Sequence, residues 1–489
     1  MTDNKDKPNN KLSRRQFVEK TGMLTGGALI AGGLAGCATG AGSSAATAAY
    51  AGGSDTLKLA VVGCGGRGTG AATQAMKADK GVQLVAVADA FPDQAQKCAK
   101  TLRRIFGEER VKVTPETTFD GFDAFEHAID LADVVILATP PGFRPEHFEY
   151  AVNGNKHVFM EKPVATDAYG VRRVMRAAEQ ADSKGLNVVV GLQRHYQPCY
   201  LEALKHYQSE KIGEIVSGQV YWNSDGVWVR ERQPDQTEMQ YQMRNWYYFN
   251  WLCGDHILEQ HIHNIDVANW FIGAVPQSAQ GMGGRQIRNG PDHGEIFDHH
   301  FVEFTYPNGV VISSQCRHQE GCANMVEERF QTTGGSIYTS GNNVGVVSQR
   351  SGEKLYKHSG MFDPSPYQTE HNTLFASIRS GDRINNAHYG AEATMTAIMG
   401  RMATYSGKRI DWNKALASGQ RLVPDSSELS WDANPPVMPL ADGSYAVPQP
   451  GKTRAYSVCA VNCRAVVAPD RGPGRRQGPV CHPRARALA

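Results

Sequence analysis

Glu259 and His263 stand four residues apart in the segment "GDHILEQHIHNID", and Glu161-Lys162-Pro163 lies well upstream of them. On a helix, positions four apart share a face, so this spacing predicts a carboxylate one turn before an imidazole. Such a carboxylate orients the ring and stabilises its protonated form. The imidazole of His263 is then suited to take a proton from a hydroxyl. An ammonium such as Lys162, placed beside that hydroxyl, stabilises the alkoxide-like charge that develops as the carbon loses hydride. Asp266 follows one turn further on, and His256 and His261 crowd the same segment.

The histidines also raise the question of a metal. His256-x-x-Glu259-x-x-x-His263 does not have the HExxH spacing of a zincin helix. Asp298-His299-His300 is a second candidate ligand group, but no cysteine or carboxylate frame stands around either at metal spacing. No catalytic metal is expected.

A cradle for a dinucleotide precedes these residues. In "LKLAVVGCGGRGTGAATQAM" a β-branched run leads into Gly63-x-Gly65-x-x-Gly68 and then into a helix-compatible stretch that includes Gly66. The first glycine permits a tight turn, the second lets backbone approach a pyrophosphate, and the third lets helix and strand pack closely. The helix N-terminus favours phosphate charge, and Arg67 is placed to add a contact. The next strand, "VQLVAVADA", ends in Asp89 about 20 residues on, where a carboxylate accepts ribose hydroxyls and repels a 2′-phosphate. Ala90 and Phe91 follow in place of a Ser/Arg pair. NAD is therefore expected over NADP. A further buried strand, "ADVVILATPP", delivers Thr139 and Pro140 to the crevice at the strand ends.

With the glycine loop, Asp89, Glu161-Lys162-Pro163 and the later His motif in hand, the chain resembles the glucose–fructose oxidoreductase / inositol dehydrogenase / rhizopine catabolism family (Gfo/Idh/MocA) from about Leu57 to about Pro450. The resemblance implies an α/β protein: an N-terminal Rossmann domain, a doubly wound parallel sheet, followed by an α+β domain with a large, open, mostly antiparallel sheet. It implies hydride transfer at a sugar or polyol carbon. The family's usual Asp, with His four later, maps onto Glu259 and His263; the exchange of Asp for Glu lengthens that arm by one methylene. Homo-oligomers are expected on the resemblance alone.

The elements that must position these groups follow from pattern. Strands alternating with helix-length segments predict the doubly wound sheet, here assigned to residues 56–186, with Glu161 and Lys162 beside the cofactor. Residues 187–450 form the substrate domain. There "NVVVGLQRHYQPCY" places Arg194, His195 and Tyr196 just past a strand end, facing the crevice. Arg244 and Trp246 precede the His segment in an aromatic stretch suited to stacking on carbohydrate. "HHFVEFTYPNGVVISSQCRHQ" and "RFQTTGGSIYTS" read as sheet strands, and "AEATMTAIMGRMATYSGKRI" as a helix ending near Gly407.

Residues 1–55 read as an address and a tether. Ser13-Arg14-Arg15-Gln16-Phe17 precedes an apolar, glycine-rich stretch from Met23 to Leu34, which resembles a twin-arginine signal and is too short for a permanent span. Leu34-Ala35-Gly36-Cys37 resembles a lipobox that would place a lipid on Cys37; cleavage after Ala46-Thr47-Ala48 is the competing reading. Both predict export, to the periplasm or to a lipid-anchored form, and the anchor is the only membrane contact expected. Residues 451–489 carry seven arginines from Lys452 onward with no structural period. They read as a basic arm or as a frameshifted or read-through end, disordered and without a part in catalysis.

The formal charge of +2 over 489 residues argues against a nucleic-acid partner. Cys316 and Cys322 are candidates for pairing in an oxidising compartment. Three functional readings stay open at this point. The first is an exported oxidoreductase for a sugar, polyol or sugar derivative, with a tightly held, recycled NAD. The second is an NAD-dependent glycoside hydrolase working by transient oxidation at C3 and elimination, and the third a non-catalytic sugar-binding lipoprotein.

Overall fold

The computed structural model describes residues 55–209, 211–360 and 362–456. Strands β1 (Leu57–Val62), β2 (Val82–Asp89), β3 (Thr118–Asp120), β4 (Val134–Leu137), β5 (His157–Met160) and β6 (Val188–Val190) form one sheet in the order β3-β2-β1-β4-β5-β6. Every pairing in it is parallel. The runs VVIL, HVFM and VVV are wholly buried, as a parallel sheet covered by helices on both faces requires. Helices α1 (Gly66–Ala78), α2 (Pro92–Phe106), α3 (Ala124–Asp130), α4 (Arg144–Asn153) and α5 (Ala168–Lys184) supply the crossovers.

Short helices lead across the second domain: α6 (Pro198–Gln208), α7 (Glu238–Arg244), α8 (Asn250–Cys253), α9 (His256–Glu259) and α10 (Ile262–Ile272). The nine-stranded sheet comprises β7 (Ile215–Ser224), β8 (Ser278–Gly284), β9 (His299–Thr305), β10 (Val311–His318), β11 (Met325–Thr332), β12 (Gly335–Ser340), β13 (Val344–Gln349), β14 (Lys354–Ser359) and β15 (Ile410–Asp411). Its order is β14-β13-β12-β11-β7-β10-β9-β8-β15. It is antiparallel except where β10 pairs with β7. Buried and half-exposed residues alternate along β9 and β10, the mark of a sheet with one face on the core and one toward water. The expected fold class, a doubly wound parallel sheet followed by a mostly antiparallel one, is the fold observed.

Helix α11 (Pro366–Ser380) returns to pack on α1, and its Leu374 and Phe375 join the core of the first domain. Helix α12 (Ala387–Ser406) is buried along most of its length between α5, α10 and strands β8 and β9. It ends at Gly407 in the left-handed region, φ 67°. A short helix, α13 (Trp412–Leu416), precedes a C-terminal strap that crosses both domains.

Three expectations are corrected here. The boundary at 186/187 cuts the first sheet, because Val188–Val190 pairs with Val158–Met160 as its sixth strand. Residues 451–456 are anchored: Gly451 N–H donates to Ser406 O at 2.8 Å, and the Tyr456 hydroxyl accepts from Asp411 N–H at 2.9 Å. Cys316 is buried and Cys322 exposed, and both are free thiols. The twin-arginine segment, Cys37 and residues 457–489 lie outside the described residues. No described helix is long and apolar enough to cross a membrane.

Candidate active site

Where β1 turns into α1, the glycines divide by what surrounds them. A Cβ on Gly63 (φ +93°) would stand 2.4 Å from Ala138 C and Thr139 N, and one on Gly68 would stand 1.8 Å from Gly63 O. Those two positions are filled by the protein's own backbone. Gly65 and Gly66 have nothing within 4 Å. They border a cavity of about 470 Å³ lined by Gly63, Gly65–Gly68, Asp89–Phe91, Thr139 and Pro140. This arrangement of packed and open glycines fits a diphosphate lying against backbone at a helix N-terminus.

Asp89 ends β2 at the cavity wall. Its Oδ2 accepts from Cys64 N–H at 2.7 Å and its Oδ1 from Phe91 N–H at 3.0 Å. Burial pushes its carboxyl above the usual range, and the two backbone donors oppose that shift. The carboxylate is thus held rigidly, with a lone pair on each oxygen still free. Thr139 is held by Arg144, whose Nη2 donates to Thr139 O at 2.6 Å. Sequence reading missed Arg144, a fully buried guanidinium that also donates from Nε to Glu161 O at 3.0 Å. Nothing in its helix-compatible neighbourhood marks it as a brace.

Strand β5 delivers Glu161 and Lys162 to the same sheet edge. The Glu161 carboxylate is taken by Arg67, which also reaches Glu370 on α11 at 3.4 Å. Arg67 lines the cavity while locked to two carboxylates. Lys162 Nζ donates to Glu259 O at 2.5 Å and lies 3.4 Å from Glu259 Oε2. Burial pushes the Glu259 carboxyl up, countered by Lys162 and Arg144. The ring of His263 is buried against Trp222 of β7, with centroids 5.8 Å apart, and its Nδ1 has no partner. Burial, then the positive charge of Lys162, then that of Arg194, hold it far below the usual histidine range. It is a neutral imidazole near neutral pH, within electrostatic reach of the Lys162 ammonium.

The expected single helical face joining Glu259 and His263 is not present. Helix α9 ends at Glu259 and α10 starts at Ile262, so the four-residue spacing crosses a break. Glu259 therefore holds Lys162 rather than orienting His263. Asp266 pairs with His195 at 2.8 Å.

Of the five residues expected at the substrate, three are held in contacts of their own and two line the cavity. Arg194 is 2% exposed and ion-paired with Glu328, which also accepts from Tyr200, Asn264 and Thr339. His195 is sandwiched between Trp270 and Tyr389, with centroids 4.0 and 4.2 Å away. The Tyr196 hydroxyl donates to Asn386 at 2.6 Å. All three are held by residues that follow the first sheet in the chain. Arg244 and Trp246 line the dinucleotide cavity, together with Trp228 and Arg230, which sequence reading overlooked.

Among the described residues, one group could gather a metal: Asp255, His256 and His300, whose ligand atoms lie within 4.8 Å of one another. Both Asp255 oxygens already accept hydrogen bonds. His256 N–H and Nδ1 bond Oδ1, and Phe297 N–H and the Tyr405 hydroxyl bond Oδ2. Asp255 sits at φ +78°, so this carboxylate works as a hub that fixes the turn before α9. Asp298, of the other candidate group, is engaged on both oxygens as well: Oδ2 accepts from the backbone N–H groups of Gln286, Ile287 and Arg288, and Oδ1 meets His299 Nδ1 at 2.7 Å and Gln319 Nε2 at 3.4 Å.

Comparison with known proteins agrees with this layout. The model for the oxidoreductase family with an NAD-binding Rossmann fold matches residues 57–192, and that for the GFO/IDH/MocA C-terminal domain matches residues 200–337. Inositol 2-dehydrogenase of Rhizobium meliloti (strain 1021) is 27% identical over 223 residues, 46% of this chain and 57% of that protein. A 2,7-anhydro-N-acetylneuraminate hydratase of Escherichia coli (strain K12) is 27% identical over 37% of this chain and 45% of its own length. The chain thus spans about half the length of these two relatives. A levoglucosan dehydrogenase in complex with NADH and levoglucosan superposes with a TM-score of 0.58 at 18% identity, covering 73% of this chain and 99% of that one. An aldose-aldose oxidoreductase from Caulobacter crescentus, complexed with glycerol, gives a TM-score of 0.57 at 18% identity over the same shares. At such identities the two structures attest the fold.

Proposed function

The chain belongs to the GFO/IDH/MocA family of NAD(P)-dependent oxidoreductases, and from that premise we propose that it oxidises a secondary hydroxyl of a sugar, polyol or sugar derivative, with Lys162, Glu259 and His263 at the reacting carbon. The observation that carries this reading is the Lys162 ammonium held by Glu259 at the carboxyl edge of the parallel sheet, within electrostatic reach of a neutral His263. Gly63, Gly65, Gly66, Gly68, Asp89, Thr139 and Pro140 would hold the dinucleotide, NAD in preference to NADP because Asp89 is a fixed carboxylate. When bound, that group supplies the hydride acceptor.

Lys162 stabilises the oxyanion that forms as the substrate hydroxyl loses its proton. Glu259 fixes the ammonium through its backbone carbonyl and its carboxylate. His263, kept neutral by burial, is free to accept the proton. Relatives named for inositol and levoglucosan support a polyhydroxylated ring as the substrate class.

The reading includes export by the twin-arginine route, with Cys37 as a candidate lipid site and a dinucleotide carried along and recycled. It rests on the order of residues 13–37 alone. The test of the activity is single-turnover reduction of the bound nucleotide, followed at 340 nm, across inositols, aldoses and aryl glycosides. Reduction by a ring polyol or sugar supports the proposal. Cleavage of an aryl glycoside without net oxidation would replace it by the redox-assisted glycosidase. Binding without reduction would replace it by a sugar-binding role.

A further inference from the structure

We propose that the dinucleotide cavity is closed by a clasp built from residues 226–246 and the C-terminal strap, so that the nucleotide does not exchange between turnovers. The proposal deepens the reading above and rests on its nucleotide. Trp228, Arg230, Met243, Arg244 and Trp246 of the second domain share the cavity wall with Asp89, Ala90, Phe91 and Phe122 of the first. Arg244 spans the two. It donates to both oxygens of Asp93 on α2, at 2.6 and 3.1 Å, while its guanidinium carbon lies 3.6 Å from the ring centroid of Phe91. A half-exposed ion pair alone is a weak latch; the stacked aromatic beneath it makes the contact specific.

The strap also packs on Phe91. Trp431 packs on Phe91 and Phe122 with centroids 4.9 and 4.7 Å away. Its carbonyl accepts from the Thr237 hydroxyl at 2.8 Å, at the N-cap of α7. Val437 O accepts from Gln242 at 2.6 Å, and the Tyr445 hydroxyl donates to Glu238 at 2.6 Å. At its near end the strap is pinned to the first domain. Leu422 N–H bonds Asp167 at 2.5 Å, and Ser426 N–H bonds Glu146 at 3.1 Å. The loop that follows Asp89 is thus held by both Arg244 and Trp431 through Phe91. The strap lies beyond residue 337, where the second family match ends, whereas residues 226–246 lie within that match.

The test uses the full-length protein as purified, with no nucleotide added. Bound dinucleotide is released by denaturation and counted per chain after exhaustive dialysis, and its dissociation rate is measured by exchange against labelled NAD. The expected result is near-stoichiometric nucleotide in the wild type, with exchange at least tenfold faster in Arg244→Ala and faster again in Arg244→Ala/Trp431→Ala. Arg244→Lys keeps the charge but loses the bidentate, stacked geometry and should exchange nearly as fast as Arg244→Ala. Trp431→Phe, which keeps an aromatic face, should restore slow exchange if Trp431→Ala proves unstable. Wild-type protein that turns over sugar yet exchanges NAD within seconds would overturn the clasp and leave the proposed function standing. So would variants that exchange as slowly as the wild type. Protein that binds neither NAD nor NADP would instead overturn the proposed function.

Discussion

Gly65→Ala separates room kept for a ligand from room kept for packing. Gly65 has φ −65° and ψ −171°, values open to any L-residue, and an added Cβ meets nothing within 4 Å. The apo protein therefore gains no strain. Loss of backbone freedom in the unfolded chain should stabilise it by about 0.4–1 kcal/mol. The same methyl group projects into the space where backbone must approach a pyrophosphate. Dinucleotide affinity should fall at least tenfold, which is about 1.4 kcal/mol. Gly68→Ala is the contrast: its Cβ would stand 1.8 Å from Gly63 O, so the turn must open, at about 1–3 kcal/mol of overpacking. Thermal midpoints and calorimetric NAD titrations on charcoal-stripped protein measure both quantities. The reasoning is refuted if stripped Gly65→Ala protein melts well below wild type, or if it binds NAD as tightly.

Three further outcomes are expected. Lys162→Met should lower the single-turnover rate about 10²–10³-fold with little change in nucleotide content, and Glu259→Gln, which keeps the backbone contact to Lys162, should lower it less; equal losses would remove Lys162 from its separate role. Because His263 is depressed well below the usual histidine range, its basic form persists as pH falls, so the acid limb of the pH–rate profile should lie below pH 6.5; a limb at or above that value would contradict the assignment. His157 is buried with a pKa lowered to about 4, mainly by burial, and its Nδ1 accepts from Asn187 N–H. The unfolded chain binds this proton from about pH 6.5 downward while the native state does not, so stability should fall by about 3 kcal/mol between pH 6.5 and 4 on its account. Urea midpoints for wild type and His157→Gln over that range would show a shallower slope in the variant.

The features legible in the sequence are those set by local backbone chemistry. The glycine turn announces itself because two of its positions admit no side chain, and Asp89 because it ends a β-branched run at a fixed distance. Buried parallel strands show as unbroken apolar runs, the second sheet's β9 and β10 as alternation, and the end of α12 as Gly407. Lys162 and His263 were identified as candidates by residue type and motif.

The destinations of the polar side chains were decided by tertiary structure. Arg194 meets Glu328, Lys162 meets Glu259 and Arg244 meets Asp93 across separations of 134, 97 and 151 residues. No periodicity encodes such pairings. They follow from how the two sheets, α11 and the strap close on one another. The turn before α9 likewise depends on a hub, Asp255, whose partners Phe297 and Tyr405 come from distant segments. A sequence fixes the conformation of a turn through the atoms of its own few residues. Which guanidinium a buried carboxylate meets depends on which faces pack together, and that is settled only once the whole chain has folded.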